Sequence, residues 1–358
     1  MEDELQKTLR AIRPLGAPLP AAAERLAKLA MPQGALGRLQ DLALRLATIR
    51  GELRPDVSRR AIAVCAGDHG VVAQGVTNYP QSVTQGMLLD FLDGGAGVNA
   101  LASVSGTDVF VADFGVKTVP PAVAAWDHFR DCSVGRGTDD LAVGPAMSRA
   151  AAVAAVVNGV RFAEELIDSG YACIGLGELG IGNTTPSAAV IAAFTGRAPA
   201  EVTGRGTGLS DLQLAHKVEV VERGLTVNRP DPSDALDVLA KVGGFEIGGL
   251  AGVCLACAAH RVPVVLDGLI TTAGALVAQA LAPASRDMMI AAHLSAEPGH
   301  RAALEHLALE PLLDLSLRLG EGTGAAVAMN LVASAAAILA QMKTFEEAGV
   351  PGRRSSDS

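Results

Sequence analysis

Aromatic residues are scarce: one Trp, two Tyr and eight Phe, 3% of 358 residues. A stacking platform for single-stranded nucleic acid is therefore excluded, and the core must be filled by Ala, Val, Leu and Ile. Positive charge is also short. Lys and Arg number 29 against 38 Asp and Glu, a formal net charge of −9, so no basic face is available for a phosphate backbone and no nucleic-acid partner is expected. An anionic ligand must instead be held locally, by backbone N–H groups and one or two cations. The cysteines are few and odd in number: Cys65, Cys132, Cys173, Cys254 and Cys257. That count reads as reduced and cytoplasmic. Cys254 and Cys257 form a C-x-x-C, but the stretch is apolar, helical in pattern and without a second ligand pair, so both read as small core residues.

No membrane insertion is expected. The start, Met1-Glu2-Asp3-Glu4, is acidic, with no apolar stretch at once behind it, which does not fit a signal peptide. The long apolar runs at 325–342 and 248–281 contain Asn330 and Ser334, or are broken by His260, Arg261, Pro263 and Asp267. Buried helices and strands account for them. Several chemical signatures are missing too. There is no G-x-x-x-x-G-K-[S/T], no G-x-S-x-G and no H-E-x-x-H. The seven histidines are scattered, so Asp68-His69 reads as structure or substrate positioning rather than a metal site. Neither metal nor cofactor is expected. Gly175, Gly177 and Gly180 do fit the dinucleotide pattern G-x-G-x-x-G. Glu201 lies near the spacing of its acidic partner, but no clear strand precedes it. A nicotinamide-dinucleotide oxidoreductase is therefore an alternative.

Much is present. Hydrophobic residues make up 49% and charged residues 19%, enough to fill a large core in two domains, or in one domain with an accessory one. Residues 1–55 read as helices with short breaks, and Leu36, Leu39, Leu42 and Leu46 mark one apolar helix face. Short apolar runs at 59–66, 109–112, 172–176, 262–266 and 288–292 read as buried strands, separated by helical Ala-rich patterns such as 149–168 and 211–224. That order predicts an α/β fold with a parallel sheet covered on both faces. Residues 130–145 read as a surface loop, and 352–358 as a polar disordered tail.

Polar and glycine-rich residues follow the strands: Gly67-Asp68-His69-Gly70, the loop 177–185, Asp267-Gly268, and the run from His293 to His300. Ligands of open parallel sheets bind at the carboxyl ends of the strands, so one composite site is expected there. In the loop 177–185 the glycines allow close approach of an anion or a ribose, and Asn183-Thr184-Thr185 could cap the next helix. A second glycine loop spans 204–208, with Ser210 or Asp211 as a helix N-cap and Lys217 one to two turns on, a cation for an anion or a solvated lysine. Glu321 stands in Leu319-Gly320-Glu321-Gly322-Thr323-Gly324-Ala325, one carboxylate among three glycines. A half-buried glutamate there has the raised proton affinity of a general base, or it simply favours the helix dipole.

Together these segments resemble the nicotinate-nucleotide–dimethylbenzimidazole phosphoribosyltransferase family. The resemblance rests on residues 32–39, 66–71, 76–84, 94–96, 177–185, 204–208, 243–247, 266–268, 293–300 and 315–325, in order. It implies transfer of the phosphoribosyl group of nicotinate mononucleotide to 5,6-dimethylbenzimidazole, in the lower-ligand branch of cobalamin biosynthesis. It also implies a Rossmann-like sheet with a small helical domain formed from the N- and C-terminal segments, and a homodimer. The expected division is 1–55 and 326–351 for the small domain and 56–325 for the catalytic one. Glu321 corresponds to the family's proposed base. Contacts to donor phosphate and ribose fall on Glu178, Gly180, Gly182, Asn183, Thr184, Lys217 and Ser295, and the acceptor pocket on Tyr79, Gln85, Met87 and Leu319. Asp90, Leu179 and Glu246 depart from the family's usual Asn, Met and Asp, which bears on base selectivity rather than on reaction type. A non-catalytic relative that binds base or nucleotide is the other alternative, against which the intact Gly320-Glu321-Gly322 speaks.

Overall fold

A computed structural model describes residues 1–351; the tail at 352–358 lies outside the described residues. Six strands form the sheet: β1 (Arg60–Gly67), β2 (Asp108–Gly115), β3 (Phe129–Asp131), β4 (Cys173–Leu179), β5 (Val264–Leu266) and β6 (Met289–Ala291). Their order is β3-β2-β1-β4-β5-β6 and every pairing is parallel. This is the doubly wound Rossmann-type order, whose direction reverses between β1 and β4 and leaves a crevice at their carboxyl ends.

The helices are α1 (Glu2–Ala11), α2 (Pro20–Lys28), α3 (Arg38–Arg50), α4 (Ser82–Asp93), α5 (Gly97–Ser105), α6 (Arg149–Asp168), α7 (Thr184–Thr195) and α8 (Pro199–Val202). Then come α9 (Asp211–Asn228), α10 (Ala235–Val242), α11 (Phe245–Ala259), α12 (Leu269–Leu281), α13 (Pro298–Leu307), α14 (Thr323–Gln341) and α15 (Phe345–Ala348). Successive side chains of β1 serve opposite faces of the sheet. Ala61, Ala63 and Cys65 enter a core built with α6, α11 and α12, whereas Ile62, Val64 and Ala66 enter one built with α3, α5 and α14. Because both faces are covered, the strand reads as a continuous apolar run rather than an alternating one.

The two ends of the chain meet on the second face. Leu29 bridges to Thr344, and the Arg25 guanidinium donates to the Leu339 and Met342 carbonyls at 3.0 and 2.9 Å. Helix α1 does not join them; it packs on the opposite face against α6 and α11. Helix α14 is long and apolar enough to cross a membrane by length and composition, yet 61% of its apolar window is buried inside the protein.

Three local expectations change. Leu36 precedes α3 and is exposed, so the apolar stripe begins at Leu39, which packs on the core behind the buried Leu42 and Leu46. Residues 130–145 are not merely a surface loop: β3 pairs with β2 at the sheet edge, and Leu141, Ala142 and Ala146 are buried with Val71, Val76 and Val220. A strand of three residues is too short to display a period. Val262, Ala292 and their neighbours flank β5 and β6, which are shorter than their apolar runs.

Cys254 and Cys257 lie fully buried in α11 as free thiols, and burial pushes the Cys254 thiol up to about 12. Helices α6 and α11 touch backbone to backbone. A methyl on Gly159 would strike the Gly249 carbonyl, and one on Gly252 would strike the Val156 carbonyl. Gly252→Ala is therefore expected to destabilise the protein by about 1–3 kcal/mol or more, measured as a fall in the urea midpoint. An unchanged midpoint would mean that the two helices can part freely.

Candidate active site

A cavity of about 450 Å³ opens over the carboxyl ends of β4, β5 and β6. Its floor is made by Glu178–Thr184 at the end of β4, Asp267–Thr271 following β5, and His293, Ser295 and Glu297 following β6. Its walls are Val76, Thr77, Tyr79 and Met87 on one side, Gly206–Gly208 on another, and Arg318–Glu321 above.

Glu321 sits in an unusual turn. Gly320, Glu321 and Gly322 have φ of +82°, +63° and +93°, three consecutive left-handed residues. Glycine adopts that region freely, but a glutamate pays for it in strain. The turn presses on the sheet: a methyl on Gly177 would collide with the Glu321 carbonyl, and one on Gly322 would meet Ile62. Gly175 and Gly177 are thus strand residues that make room for α14 and this turn, not the phosphate glycines of a dinucleotide fold. Glu321 as a residue is 9% exposed, and its Oε2 accepts the Val98 N–H at 3.2 Å at the start of α5. Burial raises its proton affinity above the ordinary glutamate value, opposed by the Val98 and Gly97 amides and reinforced by the charges of Asp90 and Asp267.

Glu178 stands near the end of β4 with its carboxyl buried against Gly320, and it accepts a hydrogen bond from the Asn183 side chain. Burial and then the Asp267 charge raise it to about 8, so it is largely protonated at neutral pH. Asn183 occupies the N-cap of α7 without capping it through its side chain. Gly182 has φ +90° and packs on Val72, while Gly180 lies against the Gly67 carbonyl, with His69 behind it. His69 and Asp68 therefore sit behind the cavity rather than in it. The His69 Nε2 is 3.0 Å from Glu246, and Asp68 accepts from Thr84 Oγ1 at 2.8 Å.

Lys217 is 1% exposed and does not line the cavity directly. Its Nζ donates to Thr184 Oγ1 at 2.7 Å and to the Gly204 carbonyl at 3.1 Å, behind the wall made by Thr184 and Gly206. Burial lowers its pKa to about 8, opposed by the Glu297 charge. The Glu297 Oε1 accepts the Gly206 N–H at 2.9 Å. Ser210 caps α9 by a capping box with Gln213. The Ser295 N–H donates to His300 Nδ1 at 2.9 Å, which places the ring proton on Nε2, 3.0 Å from Thr272 Oγ1. Burial drives His300 down to about 3, so the imidazole stays neutral.

A family model described as "Phosphoribosyltransferase" matches residues 14–350. The nicotinate-nucleotide–dimethylbenzimidazole phosphoribosyltransferase of Desulforudis audaxviator is 52% identical over 349 residues, covering 97% of this chain and 98% of the relative. The enzyme of the same name from Geotalea uraniireducens is 50% identical over 97% of the chain and 98% of its own length. The chain belongs to the nicotinate-nucleotide–dimethylbenzimidazole phosphoribosyltransferase family. The crystal structure of CobT from Thermus thermophilus is similar, with a TM-score of 0.89 and 46% identity over 94% of this chain and 99% of that one.

Of the residues singled out from sequence for this family, Glu321, Glu178, Gly180, Gly182, Asn183, Thr184, Ser295, Tyr79, Met87 and Leu319 line the one cavity. Tyr79 and Leu319 form its rim, 52% and 63% exposed. Gln85 lies half-buried on α4 and is not on the lining. Of the three departures from the family pattern, Leu179 lines the cavity, Asp90 faces Glu321 through its charge, and Glu246 pairs with His69 behind the wall. Asp267, His293, Glu297, His300 and Arg318 stand in the sequence motifs without an assigned role. Arg318 lines the cavity and reaches the Gly206 carbonyl at 3.5 Å.

Glu178 makes stability depend on pH. Its folded value, about 8, lies above the ordinary 4.5. Between these values the folded state holds a proton that the unfolded state has lost, so its contribution falls as pH rises from about 5 to 8. Glu178→Gln is expected to flatten that fall, read from urea midpoints across the range. An unaltered slope would show that Glu178 is ionised in the folded protein.

Proposed function

We propose that the chain transfers the phosphoribosyl group of nicotinate mononucleotide to 5,6-dimethylbenzimidazole, giving α-ribazole 5′-phosphate and nicotinate. The observation that carries this reading is Glu321, a carboxylate of raised proton affinity that reaches the same cavity as two glycine loops, braced from behind by a buried lysine.

The donor carries a pyridinium on the anomeric carbon. When the C1′–N bond breaks, its electron pair returns to the ring nitrogen, and nicotinate needs no proton to leave. The acceptor is the harder partner. One imidazole nitrogen of dimethylbenzimidazole attacks C1′ while the other sheds its proton, and Glu321 accepts that proton. Attack from the face opposite the leaving ring turns the β-configured donor into an α-riboside. The remaining work is holding two flat rings on either side of one carbon.

The donor phosphate and ribose lie on the loop formed by Gly180, Gly182, Asn183 and Thr184 and beside Ser295. Lys217 supports that loop from behind through Thr184, and an incoming phosphate strengthens its charged form. Protonated Glu178 offers an O–H to the donor, where an ionised carboxylate would repel it. Tyr79, Met87 and Leu319 give the acceptor an apolar, partly aromatic rim. Gln85 belongs to this pocket only if α4 shifts on binding. The molecule works in the cytoplasm as a homodimer, in keeping with its unpaired thiols and its family. The oxidoreductase alternative loses its sequence basis, because Gly175 and Gly177 serve packing.

Glu321→Gln is expected to keep the melting temperature and donor binding but lose most turnover, followed as nicotinate release. In the wild type the acidic limb of kcat against pH lies above 4.5, because Glu321 must be ionised and its pKa is raised. Wild-type turnover in the variant removes Glu321 as the base. Lys217→Ala is expected to raise the donor KM more than it lowers kcat. The reverse pattern speaks against a phosphate role.

A further inference from the structure

The left-handed turn that carries Glu321 belongs to neither a helix nor a strand, so its amides must be satisfied from outside. Asp267, just past β5 and 1% exposed, satisfies one of them together with an amide in the first turn of α14. Its Oδ2 accepts the Gly322 N–H at 3.2 Å and its Oδ1 accepts the Ala325 N–H at 3.0 Å. One carboxylate, fixed by the sheet, thus stands in for the missing N-cap side chain of α14, whose N-cap is a glycine. His293, just past β6, lies 3.5 Å from Asp267 Oδ1, and its ring packs so tightly on Gly324 that a methyl there would collide with it. The Glu178 carboxyl lies against Gly320 at the other end of the turn.

We infer that Asp267 is a positioning residue: it fixes the Gly320–Gly322 turn, and through it the Glu321 carboxyl, against the strand ends. The inference rests on the reading of Glu321 as the base. Asp267 also acts through charge. The groups facing the Glu321 carboxyl are Asp90 from α4, the Gly97 and Val98 amides of α5, and Asp267, with Glu178 against Gly320 and His293 behind Asp267. Among these, Asp267 and Asp90 hold the proton affinity up. Loss of the Asp267 charge therefore shifts ionisation of Glu321 to lower pH.

Asp267→Asn tests this, with Glu321→Gln in parallel. An asparagine presents one oxygen to two amides, so its NH₂ opposes an N–H of the turn. The expected result is a kcat lower by on the order of 100-fold, the effect of displacing a reacting group by about 1 Å. The donor KM should stay within about threefold, and the acidic limb of kcat should move to lower pH. Three results overturn the inference: unchanged kcat, a donor KM that rises while kcat holds, and a lowered kcat with an unmoved limb. The second would mean that Asp267 contacts the donor, and the third would leave it only a structural part. If Asp267→Asn does not fold, judged by thermal melting, Asp267→Ser carries the same readouts, since its hydroxyl can still accept from one amide. Wild-type turnover in Glu321→Gln defeats the base reading itself, whereas an inactive Glu321→Gln beside a wild-type Asp267→Asn defeats only the present inference.

Discussion

Three consecutive residues in the left-handed region, one of them a glutamate, hold their shape only if their amides are gripped by something rigid. Here the grip comes from the sheet. Asp267 takes the Gly322 and Ala325 amides, and the Glu178 carboxyl abuts Gly320. The two carboxyls stand at the ends of adjacent parallel strands, so the spacing of the strands sets the spacing of the anchors. The short strand β5 is consequential for this reason. Its three residues end where a side-chain carboxylate can reach the start of α14, on the far side of the sheet from α12.

Gathering Glu178, Asp267 and Glu321 around one cavity carries an electrostatic cost, because the family's donor is itself an anion. The arrangement divides the cost by protonation. Glu178, deeply buried and next to Asp267, keeps its proton at neutral pH. Asp267 is supplied with two amide donors. Glu321, partly buried, is met by the Val98 amide at the start of α5. The neutral His300 and the buried Lys217 follow the same logic, since each sits behind the wall and presents a fixed polar partner to a residue that faces the cavity. Preorganised dipoles and a carboxyl of raised proton affinity thus stand in for free charges around the cavity.

Much of the architecture was legible because it is periodic or punctuated. The apolar run that became β1, the bounds of α6, and the glycine-rich loops after β4 and before α9 follow from spacing alone. Legibility ended where the signal is short or three-dimensional. β3 has three residues and no period, and Leu36 continued a stripe that the chain had not yet begun. Helix α1 shares the helical pattern of its neighbours, but nothing local says that it belongs to the opposite face of the sheet. Asp267 and His293 were visible as letters after strands. Their role depends on a turn more than 50 residues away in sequence for Asp267, and on a close contact with Gly324 for His293. Lys217 read equally well as a solvated lysine, because burial behind a loop leaves no mark in helical spacing.

The glycines show why a motif and its cause can separate. Gly175, Gly177 and Gly180 have the spacing of a dinucleotide fingerprint, in which the glycines let a backbone approach pyrophosphate. In this fold the same absence of a Cβ admits other atoms: Ile62 and Met329 at Gly175, the Glu321 carbonyl at Gly177, and the Gly67 carbonyl at Gly180. The first two are obligations of packing and the third is shared with the cavity wall. A side chain at Gly177 would lift the turn off the sheet, and with it the carboxylate. Gly177 is therefore tied to the position of Glu321 by direct contact, and the spacing alone could not distinguish that from contact with a ligand.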